Sequence, residues 1–220
     1  MWKLPKLLHK RIYTTRRTYY AIAGAPASGK TSFAVSARNN GLLPADAFVH
    51  DCDAVMESMP GYQQQLLNEG SIAAFNSWEL PARELAEQQL KQQVAAKNSI
   101  IYDRSCALTS SYEFLKDLVQ NKHYKLIMHL LYIDVNEACI RAKQRETIIG
   151  RYTSEIMVSE RLTMLSSLWP EYLKIATEAT ILDNTDVTPR LVATYKQKNL
   201  HVHDPEMYSK FINIGTGSNS

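Results

Sequence analysis

The sequence lacks several features that would each point to a particular class of protein. No uncharged apolar run approaches the ~18 residues that a membrane-spanning helix needs, which argues against a membrane protein. Only three cysteines occur in 220 residues, Cys52, Cys106 and Cys139. Because they are widely spaced and odd in number, they argue against a disulfide framework and favour a reducing compartment. We therefore expect a cytoplasmic protein.

Acidic residues are missing from the start of the chain, since none occurs before Asp46. We treat residues 1–17 as a basic N-terminal arm, with cations at Lys3, Lys6, Lys10, Arg11, Arg16 and Arg17. An acid-free segment with arginines is typical of a mitochondrial transit peptide, but the first strand must begin near Thr18 and leaves little length to remove. The arm could instead contact nucleic acid or a phosphorylated partner, or pack beside the first strand as a solvated extension.

The rest of the composition is that of an ordinary globular protein. Hydrophobic residues make up 45% of the chain and charged residues 21%, with a net charge of +3. The length suits one domain with tails, and apolar runs alternate with helical patterns over residues 18–203. This alternation predicts a doubly wound α/β fold: a parallel sheet of about five strands with helices on both faces. We expect residues 187–198 to form a closing helix and residues 204–220 to be a flexible tail.

The segment that carries the clearest chemistry is a glycine-rich loop. An apolar run ends at Gly24, four residues separate Gly24 from Gly29, and a helical pattern opens after Thr31. This order of strand, loop and helix is typical of a phosphate-binding loop, and a glycine-rich turn without a nucleotide is the alternative. We call residues 24–32 the phosphate loop: Gly24, Ala25, Pro26, Ala27, Ser28, Gly29, Lys30, Thr31 and Ser32.

Each part of the phosphate loop can help to bind or neutralise the negative charge of a triphosphate. Gly24 and Gly29 allow backbone conformations in which successive N–H groups surround a phosphate, and the following helix adds its positive N-terminal end. Lys30 can then reach the β and γ phosphates, and the Thr31 hydroxyl can bind Mg²⁺. The predicted cofactors are therefore ATP and Mg²⁺.

Carboxylates follow two further predicted strands. Asp51 and Asp53 follow a strand over residues 45–50, and Asp103 follows a strand over residues 99–102. Ligands of α/β proteins gather at the carboxyl ends of strands, so one of the first pair can face an acceptor hydroxyl and Asp103 can hold Mg²⁺ through its water shell. The alternative for Asp51 and Asp53 is helix capping. Glu87, on a helix predicted over residues 81–97, can look toward the same cleft or simply be solvated.

A charged segment over residues 136–153 has the composition of a lid. It carries Arg141, Lys143 and Arg145, and it continues into Gly150 and Arg151. A basic flap over the phosphates would exclude water and neutralise charge on the transferred group. A solvated helix face is the alternative interpretation.

Together these motifs resemble the zeta toxin family of P-loop kinases. The resemblance covers residues 20–182 and includes the phosphate loop, the Asp51-Cys52-Asp53 pair with Met59-Pro60 after it, Asp103, and the turn at residues 150–153. It implies an ATP- and Mg²⁺-dependent kinase that phosphorylates a sugar hydroxyl of UDP-N-acetylglucosamine, and in bacteria a toxin restrained by an antitoxin protein.

The resemblance also implies roles for individual residues. Asp53 would be the general base, Glu87 a substrate contact, and Arg141 and Arg151 ligands of the γ phosphate; Lys30, Thr31 and Asp103 keep the roles given above. Asp51 and Ser105, beside these positions, are further candidates for contact with the acceptor. The chain has Asp103-Arg104-Ser105 where the family usually has Glu-Gly-Thr. A polynucleotide 5′-hydroxyl or nucleoside kinase, and a nucleotide-gated binding module without turnover, therefore stay as alternatives.

Overall fold

The sheet of the protein is built around the strand that leads into the phosphate loop. The computed structural model describes residues 17–149, 153–186 and 188–216. Within them the strands run in the order β2-β3-β1-β4-β5-β6-β7. Their bounds are β1 Thr18–Gly24, β2 Phe48–His50, β3 Ile100–Asp103, β4 Lys125–Tyr132, β5 Glu178–Asp183, β6 Arg190–Lys196 and β7 Asn199–Val202.

The helices fill the connections between these strands. Their bounds are α1 Lys30–Asn39, α2 Cys52–Ser58, α3 Pro60–Glu69, α4 Ser71–Ala95, α5 Thr109–Gln120, α6 Val135–Ile149, α7 Glu155–Ile175 and α8 Pro205–Thr216. The helix predicted from Pro81 begins ten residues earlier, at Ser71, and Pro81 lies inside it. No helix in the described parts of the chain is both long enough and apolar enough to cross a membrane.

Both faces of the sheet are covered, which confirms the predicted doubly wound α/β fold. Side chains of β1 alternate between two apolar clusters. Tyr20 and Ile22 pack with Phe33 of α1 on one face, while Tyr19 and Ala21 join α5, α7 and α8 on the other. This alternation follows from the two-residue period of a strand, and the fully buried strands explain the continuous apolar runs in the sequence.

The sheet has two more strands than predicted. The first five in the spatial order are parallel, as expected, but β6 pairs antiparallel with β5, and β7 with β6. The closing helix predicted over residues 187–198 is therefore wrong. The hairpin turns at Gln197 and Lys198, whose φ angles are 52° and 63°. Such turns usually carry Asn or Gly, and because neither residue stands at 197 or 198, no turn is predicted there.

The C-terminal segment is an ordered part of the core. Residues 204–220 were expected to be a flexible tail, but residues 205–216 form α8, and Asp204 accepts a hydrogen bond from the Met207 N–H at 3.0 Å. Phe211 of α8 is fully buried and contacts the rings of Trp169 and Tyr132 at centroid distances of 6.3 and 6.1 Å. The expectation is thus wrong for α8, because its apolar stripe completes the cluster beside α7; residues 217–220 lie outside the described residues.

Helices α2, α3 and α4 form a separate wall beyond β2. Their apolar side chains make a third cluster around Met56, Tyr62, Ala74 and Ala82. Helix α2 begins directly after Asp51, so this wall stands beside the carboxyl end of β2. The phosphate loop lies two strands away, after β1.

Candidate active site

The conformation of the phosphate loop is fixed by close packing at Gly24 and by hydrogen bonds from neighbouring loops. Gly24 has a φ of 154°, and a Cβ there would lie 2.4 Å from the Ser28 Oγ and 2.6 Å from the Leu131 carbonyl oxygen, so a side chain does not fit. The Gly24 N–H donates to the Ser105 carbonyl at 3.2 Å, and the Asn184 side-chain amide donates to the Ser28 carbonyl at 2.7 Å. Loops after β3 and β5 thus fix the phosphate loop from both sides.

The second glycine starts α1. Gly29 is the N-cap residue with a left-handed backbone at φ 87°, and no side chain caps the first turn of the helix. The loop and α1 therefore have the geometry that presents backbone N–H groups and the positive helix end to an anion. The Lys30 ammonium group lies over the loop and donates to the Ala25 carbonyl at 2.9 Å.

Thr31 and Asp103 are the pair that fits Mg²⁺. The Thr31 hydroxyl donates to Asp103 Oδ2 at 2.7 Å, so two hard oxygen donors meet beside Lys30. In the described parts of the chain no group of three or more His, Cys, Asp or Glu side chains could hold a metal ion. A pair of protein oxygens such as those of Thr31 and Asp103 suits Mg²⁺, which usually takes one or two protein oxygens and completes its shell with water and substrate phosphate.

Electrostatics link Asp103 to both halves of the site. Burial raises the pKa of the Asp103 carboxyl, and the nearby charge of Lys30 and the Thr31 hydrogen bond oppose that shift. The negative charges of Asp51 and Asp53 raise the pKa further. Asp103 therefore lies within electrostatic reach of the phosphate loop on one side and of the β2 carboxylates on the other.

The two carboxylates after β2 have different surroundings. Asp51 caps α2, since its Oδ1 accepts hydrogen bonds from the N–H groups of Asp53 and Ala54 at 3.0 and 3.2 Å. The capping alternative is thus right for Asp51. Asp53 instead forms an ion pair: its Oδ2 lies 3.0 Å from Arg145 Nη2 on α6.

The lid helix α6 crosses the site through this ion pair. Helix α6 follows β4, and in the sheet β3 and β1 lie between β4 and β2. The contact between Arg145 and Asp53 therefore spans the two strands that end in Asp103 and in the phosphate loop. In the sequence Arg145 is one charge among several, and nothing local distinguishes it.

Arg141, one turn before Arg145, is occupied elsewhere. Its Nε donates to Glu137 at 2.7 Å, and Nη1 and Nη2 donate to the carbonyls of Asn184 and Thr185 at 3.0 and 2.9 Å. The predicted γ-phosphate ligand thus ties α6 to the loop after β5, and that loop holds Ser28. Arg151, its predicted companion, lies outside the described residues.

Glu87 on α4 and Arg104 after β3 form an ion pair near the end of β2. Arg104 Nη1 donates to Glu87 Oε1 at 2.7 Å, and His50, buried at the end of β2, lies 3.9 Å from the same oxygen. Burial lowers the pKa of His50 and raises that of the Cys52 thiol beside it, so both groups favour their neutral forms. Ser105 contributes its carbonyl to Gly24. The sequence patterns pointed to Glu87 but to neither His50 nor Arg104 as a site residue.

Comparison with known protein families identifies the family of the chain. The family model described as Zeta toxin matches residues 8–188, most of the chain. The chain belongs to the zeta toxin family. Comparison with curated protein sequences gave no significant match.

Several solved structures share the fold of this zeta toxin family member. A chain of the AvrRxo1-ORF1:AvrRxo1-ORF2 complex has a TM-score of 0.71 and 13% identity, covering 90% of this chain and 64% of that chain. The same complex with ATP gives 0.70 and 15%, with the same coverage. The PezAT toxin–antitoxin system of Streptococcus pneumoniae gives 0.61 and 14%, covering 98% and 87%. The chain therefore spans less than two thirds of the AvrRxo1 chains, and at these identities the likeness concerns the fold.

Proposed function

We propose that the protein is an ATP-dependent kinase that transfers the γ phosphate of ATP to a hydroxyl of a nucleotide sugar such as UDP-N-acetylglucosamine. The observation that carries the proposal is the position of Asp103. Its Oδ2 accepts a hydrogen bond from Thr31 of the phosphate loop at 2.7 Å, and its strand, β3, lies between β1, which leads into that loop, and β2, which leads to Asp51 and Asp53. A phosphate donor bound at the phosphate loop and an acceptor bound at the carboxylates after β2 would meet beside Asp103.

The ATP half of the proposal rests on the phosphate loop. Its amides, from Gly24 to Ser32, would bind the phosphates, and Lys30 would leave the Ala25 carbonyl to neutralise the β and γ groups. Thr31 and Asp103 would hold Mg²⁺, which neutralises charge on the phosphate oxygens when bound. ATP in the AvrRxo1-ORF1:ORF2 structure, which shares this fold, supports the assignment.

The acceptor half rests on the carboxylates after β2. Asp53 would accept the proton of the attacking hydroxyl as general base, since the Asp51 side chain already serves α2. Glu87 lies on α4, and Asp51, Ser105 and Arg104 follow β2 or β3; these are the residues we assign to acceptor binding. Family membership favours a nucleotide sugar over other hydroxyl compounds.

The lid would connect the two halves. Arg145 holds Asp53 across the phosphate loop, and a bound γ phosphate would offer this guanidinium a stronger anionic partner. Movement of Arg145 from Asp53 to the phosphate would free the base and stabilise the transferred group at the same time. In this proposal Arg141 supports the lid through the loop after β5, and Arg151 stays a proposed second phosphate ligand.

An antitoxin is the protein partner that we propose. The chain belongs to the zeta toxin family, and the AvrRxo1 and PezAT structures with the same fold come from two-component assemblies. An antitoxin gene product would be expected to bind the cleft or its rim and to suppress turnover.

The test is a transfer assay with γ-labelled ATP and Mg²⁺ against three acceptors: UDP-N-acetylglucosamine, a set of nucleosides, and an oligonucleotide with a 5′-hydroxyl. We expect label on the sugar nucleotide alone. Label on oligonucleotide ends or on nucleosides would replace the proposed acceptor while keeping the kinase. ATP binding without transfer to any acceptor or to water would favour a nucleotide-gated binding module.

A further inference from the structure

A cavity lies at the edge of the sheet opposite the phosphate loop. Its volume is about 650 Å³, and it opens between α4 and α5, with Arg17, Lys97 and His123 at its border. These three residues precede β1, β3 and β4, so the cavity sits where the parallel strands begin. The phosphate loop and the strand-end carboxylates lie at the other ends of the same strands.

The floor of the cavity is apolar. Leu90 of α4, Leu118 of α5 and Tyr124 before β4 line it and are almost completely buried, and the half-buried Val94 and Phe114 extend it. The Tyr124 hydroxyl is satisfied by the Asn98 carbonyl at 3.0 Å, so it does not add a free polar group. A ligand on this floor would therefore contact mainly apolar side-chain atoms.

The border is cationic. Arg17, Lys91, Lys97 and Lys122 line the cavity, and among the described residues none of these four cations belongs to an ion pair. Two acids also line the cavity: Glu87 forms an ion pair with Arg104 at 2.7 Å, and Asp117 accepts a hydrogen bond from Asn121, another lining residue, at 2.6 Å. The balance of charge at the opening therefore favours an anion.

Backbone strain is concentrated at the same border. Arg17, Lys97 and His123 have φ angles of 62°, 60° and 58°, in the left-handed region that costs a residue with a side chain about 1–2 kcal/mol. Lys97 and His123 follow helix C-termini, where glycine is the usual residue. A helix C-terminus favours a cation, but Arg17 precedes a strand and Lys91 lies within α4, so that effect does not explain those two.

We propose that this cavity binds a small amphipathic anion. Its aliphatic or aromatic body would rest on Leu90, Leu118 and Phe114, and its carboxylate, sulfonate or phosphate group would lie among Arg17, Lys97 and Lys122. The volume falls within the ~300–1,000 Å³ of small-molecule sites, which suits a compact ligand rather than a macromolecular partner. The site is separate from the phosphate loop, and it has Glu87 in common with the proposed acceptor-binding residues.

The test uses the full chain and two fluorescent probes of nearly the same shape. 8-Anilinonaphthalene-1-sulfonate is an amphipathic anion, and N-phenyl-1-naphthylamine is its uncharged counterpart. We expect one saturable site for the anionic probe, affinity about tenfold higher than for the neutral probe, and weakening with added salt, since the difference comes from charge. Excess ATP with Mg²⁺ should not displace the probe.

Variants locate the site. Lys97→Glu combined with Lys122→Glu should weaken the anionic probe about tenfold and leave the neutral probe unchanged, whereas Lys116→Glu, on α5 but outside the cavity, should change neither. Ala95→Trp, at an exposed lining position, should block both probes. Binding that survives charge reversal, that ATP displaces, or that never saturates would overturn the proposal. So would a full chain that binds neither probe.

Discussion

Replacing Arg145 with glutamine separates the catalytic role proposed for the lid from its contribution to stability. The substitution removes the ion pair with Asp53, whose atoms are 3.0 Å apart, and both side chains are 39% exposed. Ion pairs this accessible to water contribute about 0–1 kcal/mol to folding. For a chain of this size 1 kcal/mol corresponds to about 2–4 °C in Tm, so thermal stability should hardly change.

Turnover should respond far more. A positioned donor that stabilises charge on a reacting group is typically worth ~10²–10³ in kcat, so Arg145→Gln should lose about that factor. The matched control is Arg141→Gln, one turn earlier on α6. Arg141 is bonded to Glu137 and to the carbonyls of Asn184 and Thr185, so its replacement should lower Tm more than Arg145→Gln does.

The measurements are kcat from γ-labelled ATP transfer and Tm from the loss of the circular dichroism signal. We predict that Arg141→Gln has the lower Tm of the two variants. Arg145→Gln should nonetheless lose ~10²-fold or more in kcat. Wild-type turnover in Arg145→Gln would refute the proposed transfer of this arginine from Asp53 to the γ phosphate.

Three further predictions concern the frame that holds the site. Gly24→Ala should destabilise the fold by about 1–3 kcal/mol and weaken ATP binding in a titration, because its Cβ would lie 2.6 Å from the Leu131 carbonyl oxygen. The control is Gly41→Ala, whose Cβ would have nothing within 4 Å; this variant should bind ATP as the wild type does. Phe211→Ala should cost about 3–5 kcal/mol in urea denaturation, against little for the exposed Ser209→Ala, and a loss under 1 kcal/mol would mean that α8 is not part of the core. Burial lowers the pKa of His129 to about 4, so the folded state resists protonation. The free energy of unfolding should therefore fall by about 3 kcal/mol as pH drops from about 6.5 toward 4. His129→Gln should lack this part of the acid sensitivity, and the same dependence of unfolding free energy on pH in the variant and the wild type would contradict the prediction.

The sequence predicted the phosphate loop well because its chemistry is local. Glycines, Lys30 and Thr31 stand in one short segment, and the apolar strand and helix on either side follow from simple periodicity. The same holds for the parallel strands and for the carboxylates at their ends, Asp51, Asp53 and Asp103. Each of these positions can be identified without knowing which strands are neighbours.

The contacts that complete the site depend on strand order and were not predictable. Arg145 reaches Asp53 across 92 positions of sequence, and Asn184 reaches Ser28 across 156. No local pattern distinguishes Arg145 from Arg141, and it was the family resemblance that implied Arg141 as the phosphate ligand. The β6–β7 hairpin and α8 were missed for a related reason: Gln197 and Lys198 adopt left-handed backbones without a glycine, and α8 is stabilised by distant rings on α7 and β4.

The most direct test of the account is kcat for Asp53→Asn, measured together with the affinity for ATP. Asparagine keeps the shape of the side chain but cannot accept the acceptor's proton, and the phosphate loop is untouched. We predict a loss of ~10²–10⁴-fold in kcat with ATP affinity unchanged, while Asp46→Asn, on an exposed loop, behaves as wild type. Wild-type kcat in Asp53→Asn would contradict the claim that this carboxylate activates the acceptor.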